Sequence, residues 1–155
     1  MAPDLRSELR QTKPFPSLEE EAFLSIERTH AMLSDAFEQM LKPYGITGTQ
    51  YNVLRILRGA GPAGLCRNEI RDRLVTRMPD VTRLLDRMEN CGLIKRTRGQ
   101  EDRRLVSTEL TAKGRSLVDD LDDAVVAEHQ ERLGHLTADR LRSLIDLLTE
   151  VRGTS

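Results

Sequence analysis

The spacing of apolar positions predicts helices along most of the chain. Phe23, Ile26, His30, Leu33, Phe37 and Met40 recur at alternating intervals of three and four, a heptad-like seam on one helix from about Leu18 to Lys42. Ser17 is its expected N-cap with Glu20 as capping-box partner, and Pro43 and Gly45 end it. At the usual rise that helix is ~35 Å long. Residues 1–16 are polar, finish in Lys13-Pro14-Phe15-Pro16, and are expected to form a flexible N-terminal arm. Thr47 or Thr49 caps a second helix, QYNVLRILRGA, with Tyr51, Leu54 and Leu57 inward, and a glycine-rich loop from Gly59 to Gly64 follows.

The middle of the chain carries the most specific pattern. Arg67–Leu74 (RNEIRDRL) reads as a short helix with Ile70 and Leu74 inward, joined by a tight Val75-Thr76 link to a helix within Arg77–Asn90. There Val81, Leu84, Leu85 and Met88 fall at i, i+3, i+4 and i+7, so Asp80, Thr82, Arg83, Asp86 and Arg87 point the other way. Thr76 is the expected N-cap, Pro79 is tolerated in the first turn, and Gly92 lies just past the end. The period then changes to two. Leu93 and Ile94 lead a strand toward Arg98, Gly99–Asp102 forms a turn, and Leu105–Leu110 returns. A minor strand at Leu65-Cys66 is placed to pair with this hairpin. Helix, turn, helix and hairpin make a winged helix-turn-helix, in which the second helix enters the DNA major groove.

Beyond the hairpin, Thr111 caps a helix with Leu117, Leu121 and Val125 inward, which Gly134 breaks. Thr137 caps the last helix, with Leu141, Leu144, Ile145, Leu148 and Val151 on one face. The expected fold is therefore mainly α with a small β wing. A winged helix-turn-helix lobe spans 47–111, flanked by helices in 17–44 and 112–151, all within one domain over 17–151. The stripes on the flanking helices are too long for the lobe to cover. A second copy in a two-fold homodimer would cover them and would supply the two recognition helices of a palindromic site. Intrachain packing of three helices is the alternative.

The hairpin region also resembles the multiple-antibiotic-resistance regulators, the MarR family. Their wing carries Asp-x-Arg, several strand residues, Leu-Thr, two residues and Gly. Here the order stands as Asp102-Arg103-Arg104, Leu105 to Glu109, Leu110-Thr111, Ala112-Lys113 and Gly114. VTRLLDRMENCGLIKR is likewise similar to that family's recognition helix and first wing strand, and the resemblance extends roughly from Leu18 to Val151. It implies a dimeric regulator of transcription on double-stranded DNA, with a small-molecule effector site between the DNA-binding lobe and the dimer helices. It also implies that the motif arginine, Arg104 here, inserts into the minor groove. No shared motif fixes the effector residues.

Composition agrees with one helical domain. In 155 residues, charged side chains make 32% and aromatic ones only 3%, which disfavours a β-sandwich. The net charge of −1 hides an asymmetry. From Arg67 to Arg104 there are eleven basic and seven acidic side chains, a net of +4; the remainder holds thirteen and eighteen, a net of −5. A local basic surface is what phosphate requires. No apolar run reaches the ~20 residues of a bilayer span, and Asp4, Arg6, Glu8 and Arg10 interrupt any secretory core, so a cytoplasmic protein without a membrane partner is expected.

These patterns assign the chemistry. Thr82, Arg83 and Arg87 lie on the polar face of the recognition helix, with Arg77 and Asp80 at its N-terminal end. Arg83 is the first choice to grip guanine O6 and N7, a contact worth ~1–3 kcal/mol against a wrong base. Asp80 and Asp86 are better suited to orienting arginines. Arg96, Arg98, Arg103 and Arg104 ring the tip of the wing; an arginine there can enter the narrow minor groove, and Asp102 would pin that arginine or simply close the hairpin. Catalysis finds no support: His30, His129 and His135 are scattered, and no phosphate-binding glycine motif or serine elbow occurs. No cofactor is implied. Glu128-His129 near Asp119, Asp120, Asp122 and Asp123 reads as a solvated acidic face rather than metal ligands. Two further readings remain: a winged-helix module that binds protein instead of DNA, and a thiol sensor using Cys91, for which a small buried residue is the plainer account.

Overall fold

The computed structural model describes residues 4–99 and 106–153. The wing tip, with Asp102, Arg103 and Arg104, lies outside the described residues. Of the described chain, residues up to Gln39 form one compact unit and those from Met40 onward another.

In the first unit, Leu5–Glu8 makes one helical turn (α1), capped by Asp4 Oδ1, which accepts from Ser7 N at 2.8 Å. The long helix α2 spans Leu18–Leu41, and Ser17 Oγ accepts from Glu20 N at 3.2 Å as its capping residue. His30, although on the seam, is exposed, with Nδ1 3.4 Å from Ser34 Oγ. Phe23 is 64% and Ile26 38% exposed, so the first half of the apolar seam of α2 is open, while Leu33, Phe37 and Met40 are half-buried.

In the second unit, Gly45 at φ 73° closes the turn after α2, and α3 runs Gly48–Ala60. Of the two threonines, Thr47 is the cap: its Oγ1 accepts from Gln50 N at 3.2 Å, while Gln50 Oε1 accepts from Thr47 N at 2.9 Å. Two short helices, α4 (Arg67–Arg73) and α5 (Val81–Asn90), follow. Strand β1 (Ile94–Arg98) pairs antiparallel with β2 (Val106–Leu110), Ile94 opposite Leu110 and Arg98 opposite Val106. Leu65 adds the expected third edge through two backbone bonds with Thr108, of 3.0 and 2.8 Å. The core of this unit is formed by Val53, Leu54 and Leu57 of α3, Ile70 of α4, and the apolar face of α5, all nearly inaccessible to solvent.

Two expectations need correction. The recognition helix starts at Val81, not near Thr76, because Asp80 takes the capping position: its Oδ1 accepts from Arg83 N at 2.9 Å. Residues 74–80 are therefore a link rather than a tight turn plus a first helical turn, and Pro79 precedes the helix. The helix after the wing is also interrupted, into α6 (Ala112–Asp120) and α7 (Asp122–Leu133). Arg58 Nη1 reaches the Val118 carbonyl at 3.4 Å, the group that an unbroken helix would offer to Asp122. It also donates to Asp119 Oδ1 at 2.7 Å, and the guanidinium grips Asp122 at 2.8 and 2.9 Å. That grip holds the Asp122 carboxyl below its usual pKa and raises that of Arg58. The last helix, α8, spans Ala138–Gly153 and has no buried residue.

The Leu-Thr-x-x-Gly motif is a structural joint. Thr111 Oγ1 donates to the Gly92 carbonyl at 2.6 Å and accepts from Gly114 N at 3.0 Å, while Thr111 N donates to the Leu93 carbonyl at 3.2 Å. Gly114 is buried so closely that an added Cβ would lie 2.0 Å from the Leu93 oxygen. Gly114→Ala should therefore lower unfolding free energy by about 1–3 kcal/mol, the usual cost of overpacking. Gly59→Ala, in open space within α3, should raise it by roughly 0.5–1 kcal/mol. Urea unfolding of both variants checks the contrast.

Candidate nucleic-acid interface

The surface that the sequence singled out is built from α4, α5 and the wing. Burial of Val81, Leu84, Leu85 and Met88, each at most 7% exposed, fixes the rotation of α5. Thr82, Arg83, Asp86 and Arg87 consequently all face solvent. Gly92, at φ 72°, turns the chain from α5 into β1.

Each polar residue on this face has a definable state. Arg83 has a side chain 72% exposed, and its Nε stays 3.8 Å from Asp80 Oδ2. Asp80 thus caps the helix and attracts the arginine beside it. Thr82 Oγ1 accepts from Arg67 Nη1 at 3.1 Å, which leaves its own hydroxyl proton to donate outward. Arg77 and Arg87 are exposed, and no hydrogen bond or ion pair holds either side chain among the described residues. Arg98 is exposed at the far end of β1.

Arg96 belongs to a different group from its basic neighbours. Its Nε donates to Glu89 Oε2 at 2.8 Å, its Nη2 to Asp86 Oδ1 at 2.6 Å, and its backbone N to Glu89 Oε1 at 3.1 Å. The guanidinium is committed to joining wing and recognition helix, which removes it from the pool of free cations. The Arg96 hydrogen bond holds the Glu89 carboxyl below its ordinary value, and Glu89 and Asp86 raise Arg96. The sequence groups Arg96 with the arginines around the hairpin tip, whereas the structure turns it back onto α5, against Glu89 and Asp86. The signal available was the position of Glu89 at the end of a helix and of Arg96 early in the strand that turns back beside it.

A cleft of about 440 Å³ lies between these elements, lined by Cys66, Arg67, Asn68, Thr82, Leu85, Arg96, Val106 and Thr108. Cys91 is exposed rather than buried, and its carbonyl accepts from Lys113 Nζ at 2.8 Å. Among the described residues no cluster of His, Cys, Asp and Glu could hold a metal, and no helix is long and apolar enough to cross a membrane.

The arrangement has recognised counterparts. A family model described as "MarR family" matches residues 44–105. The chain is 33% identical to the HTH-type transcriptional regulator PrsX of Escherichia coli, over 72% of this chain and 68% of that protein. It is 41% identical to a MarR transcription factor from Planctomyces limnophilus, at a TM-score of 0.68, covering 88% of this chain and 98% of that one. A mutant MarR from E. coli complexed with operator DNA is 27% identical at a TM-score of 0.76, covering 96% and 99% of the two chains.

Because folding depresses the Glu89 pKa, the stability it confers is complete above the ordinary glutamate value of 4.5 and is lost as pH falls through the lower folded value. Glu89→Gln should flatten that part of the stability profile between pH 5 and pH 3, as followed by urea unfolding at each pH. An unchanged slope would mean that the contact with Arg96 does not form.

Proposed function

This chain belongs to the MarR family, and on that premise we propose that it acts as a homodimeric, effector-responsive repressor reading a pseudo-palindromic operator through α5 and the wing. Regulation of transcription through DNA is the function of the family. The observation that carries the detailed reading is the polar face of α5: two arginines and a threonine displayed on a helix whose opposite face is locked in the core.

In this reading α5 enters the major groove, with Arg83 on a guanine and Thr82 donating to a phosphate or base acceptor. Arg77 and Arg87 supply neighbouring cationic contacts, and Arg98, Arg103 and Arg104 extend the positive surface along the wing toward the minor groove. Asp80 acts through Arg83 and the helix cap. Each arginine that meets a phosphate adds to the release of counterions, so affinity falls steeply with salt.

Open apolar faces support the dimer. Phe23 on α2, and Ile145, Leu147 and Val151 on α8, are each at least 57% exposed, far from what an isolated helix face in water favours. A two-fold mate covering them sets two copies of α5 about one helical turn apart. A small effector binding one arrangement of that dimer better than the other would shift the spacing and release DNA.

Arg83→Ala should weaken operator binding by about 10- to 100-fold and relax preference at one base pair per half-site. Replacing Arg103 and Arg104 together by Ala should weaken binding and reduce the salt slope by about two. Fluorescence anisotropy on matched and scrambled duplexes measures both. Wild-type affinity in both variants would point instead to a winged helix that binds protein. For the assembly, sedimentation equilibrium should give twice the chain mass of 17.6 kDa, and Ile145→Glu with Val151→Glu should return the monomer.

A further inference from the structure

We propose that Asn52 is a positioning residue of the DNA-reading surface, setting the link between α4 and α5 and with it the placement of Arg77. The inference deepens the operator reading above and rests on it.

The link carries a functional load with few anchors. It begins at Leu74, where the chain leaves α4 in an extended conformation, and ends at Asp80, the cap of α5. Val75 cannot hold it by burial, since the residue is 88% exposed. Across residues 75–79, one hydrogen bond reaches the rest of the molecule among the described residues: Val75 N donates to Asn52 Oδ1 at 2.9 Å. Asn52 sits on α3 between the buried side chains of Tyr51 and Val53, on a helix turn that cannot shift without disturbing the core. A rigid scaffold thus reaches out by one amide oxygen and fixes the main chain two residues before Arg77.

The physical consequence is preorganisation. An unpinned five-residue link samples many backbone states, and DNA binding must then select the one that presents Arg77. A pinned link has that order already. The pin carries no charge and touches no phosphate, so it acts on how well a specific duplex is fitted rather than on how strongly any duplex is attracted. A carboxamide is suited to this site. Its oxygen accepts from the amide, and a carboxylate would add a negative charge near the surface that meets phosphate.

The test combines the free protein with its complex, using a duplex recovered by selection and a scrambled one. In wild type, amide exchange followed by nuclear magnetic resonance should show Val75 protected at least tenfold relative to an open chain. Asn52→Leu should abolish that protection, whereas Asn52→Asp, which keeps an acceptor, should retain it. Asn52→Leu should also bind the operator three- to tenfold more weakly, the scale of one lost hydrogen bond. Its affinity for scrambled DNA should stay within twofold and its salt slope unchanged. Adding Arg77→Ala should cost less in that background than in wild type. Asn52→Ala serves as the second variant if the leucine impairs folding.

Wild-type operator affinity in Asn52→Leu, or an unprotected Val75 amide in wild type, would overturn the inference while leaving the operator reading intact. Equal losses on operator and scrambled duplex would also overturn it, by showing a general loss of structure. A wild-type protein that prefers no operator over scrambled DNA would sink the operator reading itself.

Discussion

The polar face of α5 is displayed to solvent only because the opposite face is buried. A helix of ten residues is too short to persist alone in water. Val81, Leu84, Leu85 and Met88 hold it, each contributing roughly 1.5–3 kcal/mol on full burial. Their spacing also fixes the rotation of the helix about its axis, which decides that Thr82, Arg83 and Arg87 emerge together. A rotation of one residue would carry arginines toward the core, where an unpaired charge is not tolerated.

The remaining contacts convert that one helix into a rigid pair with the wing. Glu89 and Asp86 lie at the wing side of α5, and Arg96 on β1 answers both. At the base of the hairpin, Thr111 and Gly114 bring α6 against the Leu93 carbonyl with no room for a side chain. Arg58 fastens the start of α7 to the end of α3. Ion pairs of this exposure are weak individually. Their value is geometric, because they tie α5, the wing and the flanking helices to a common frame.

Much of this was legible in the sequence, for reasons that can be stated residue by residue. The i, i+3, i+4, i+7 pattern in α5, the change to period two after Gly92, and the threonine caps at Thr47, Thr111 and Thr137 are local signals, and local signals survive folding. The start of α5 was misplaced because Thr76 and Asp80 are both good caps and Pro79 suits either frame; only tertiary placement of the link selects Asp80. The interruption at Leu121 has no glycine or proline to announce it, and its cause, Arg58, is 63 residues away in sequence. Arg96 and Asn52 were equally hidden, since nothing in either residue tells which distant amide or carboxylate it will meet. The roles of the arginines in binding are inferred from position and chemistry, and the wing arginines Arg103 and Arg104 rest on the sequence motif.

Operator reading by α5 and the wing is best measured by selecting genomic duplex fragments with the purified protein, at low and near-physiological salt, and sequencing what is retained. A dimer that reads a pseudo-palindromic operator should enrich one inverted repeat, with half-sites about one helical turn apart and binding that persists at the higher salt. Retention without sequence enrichment, lost at the higher salt, would contradict operator reading and leave only non-specific attraction between basic side chains and phosphate.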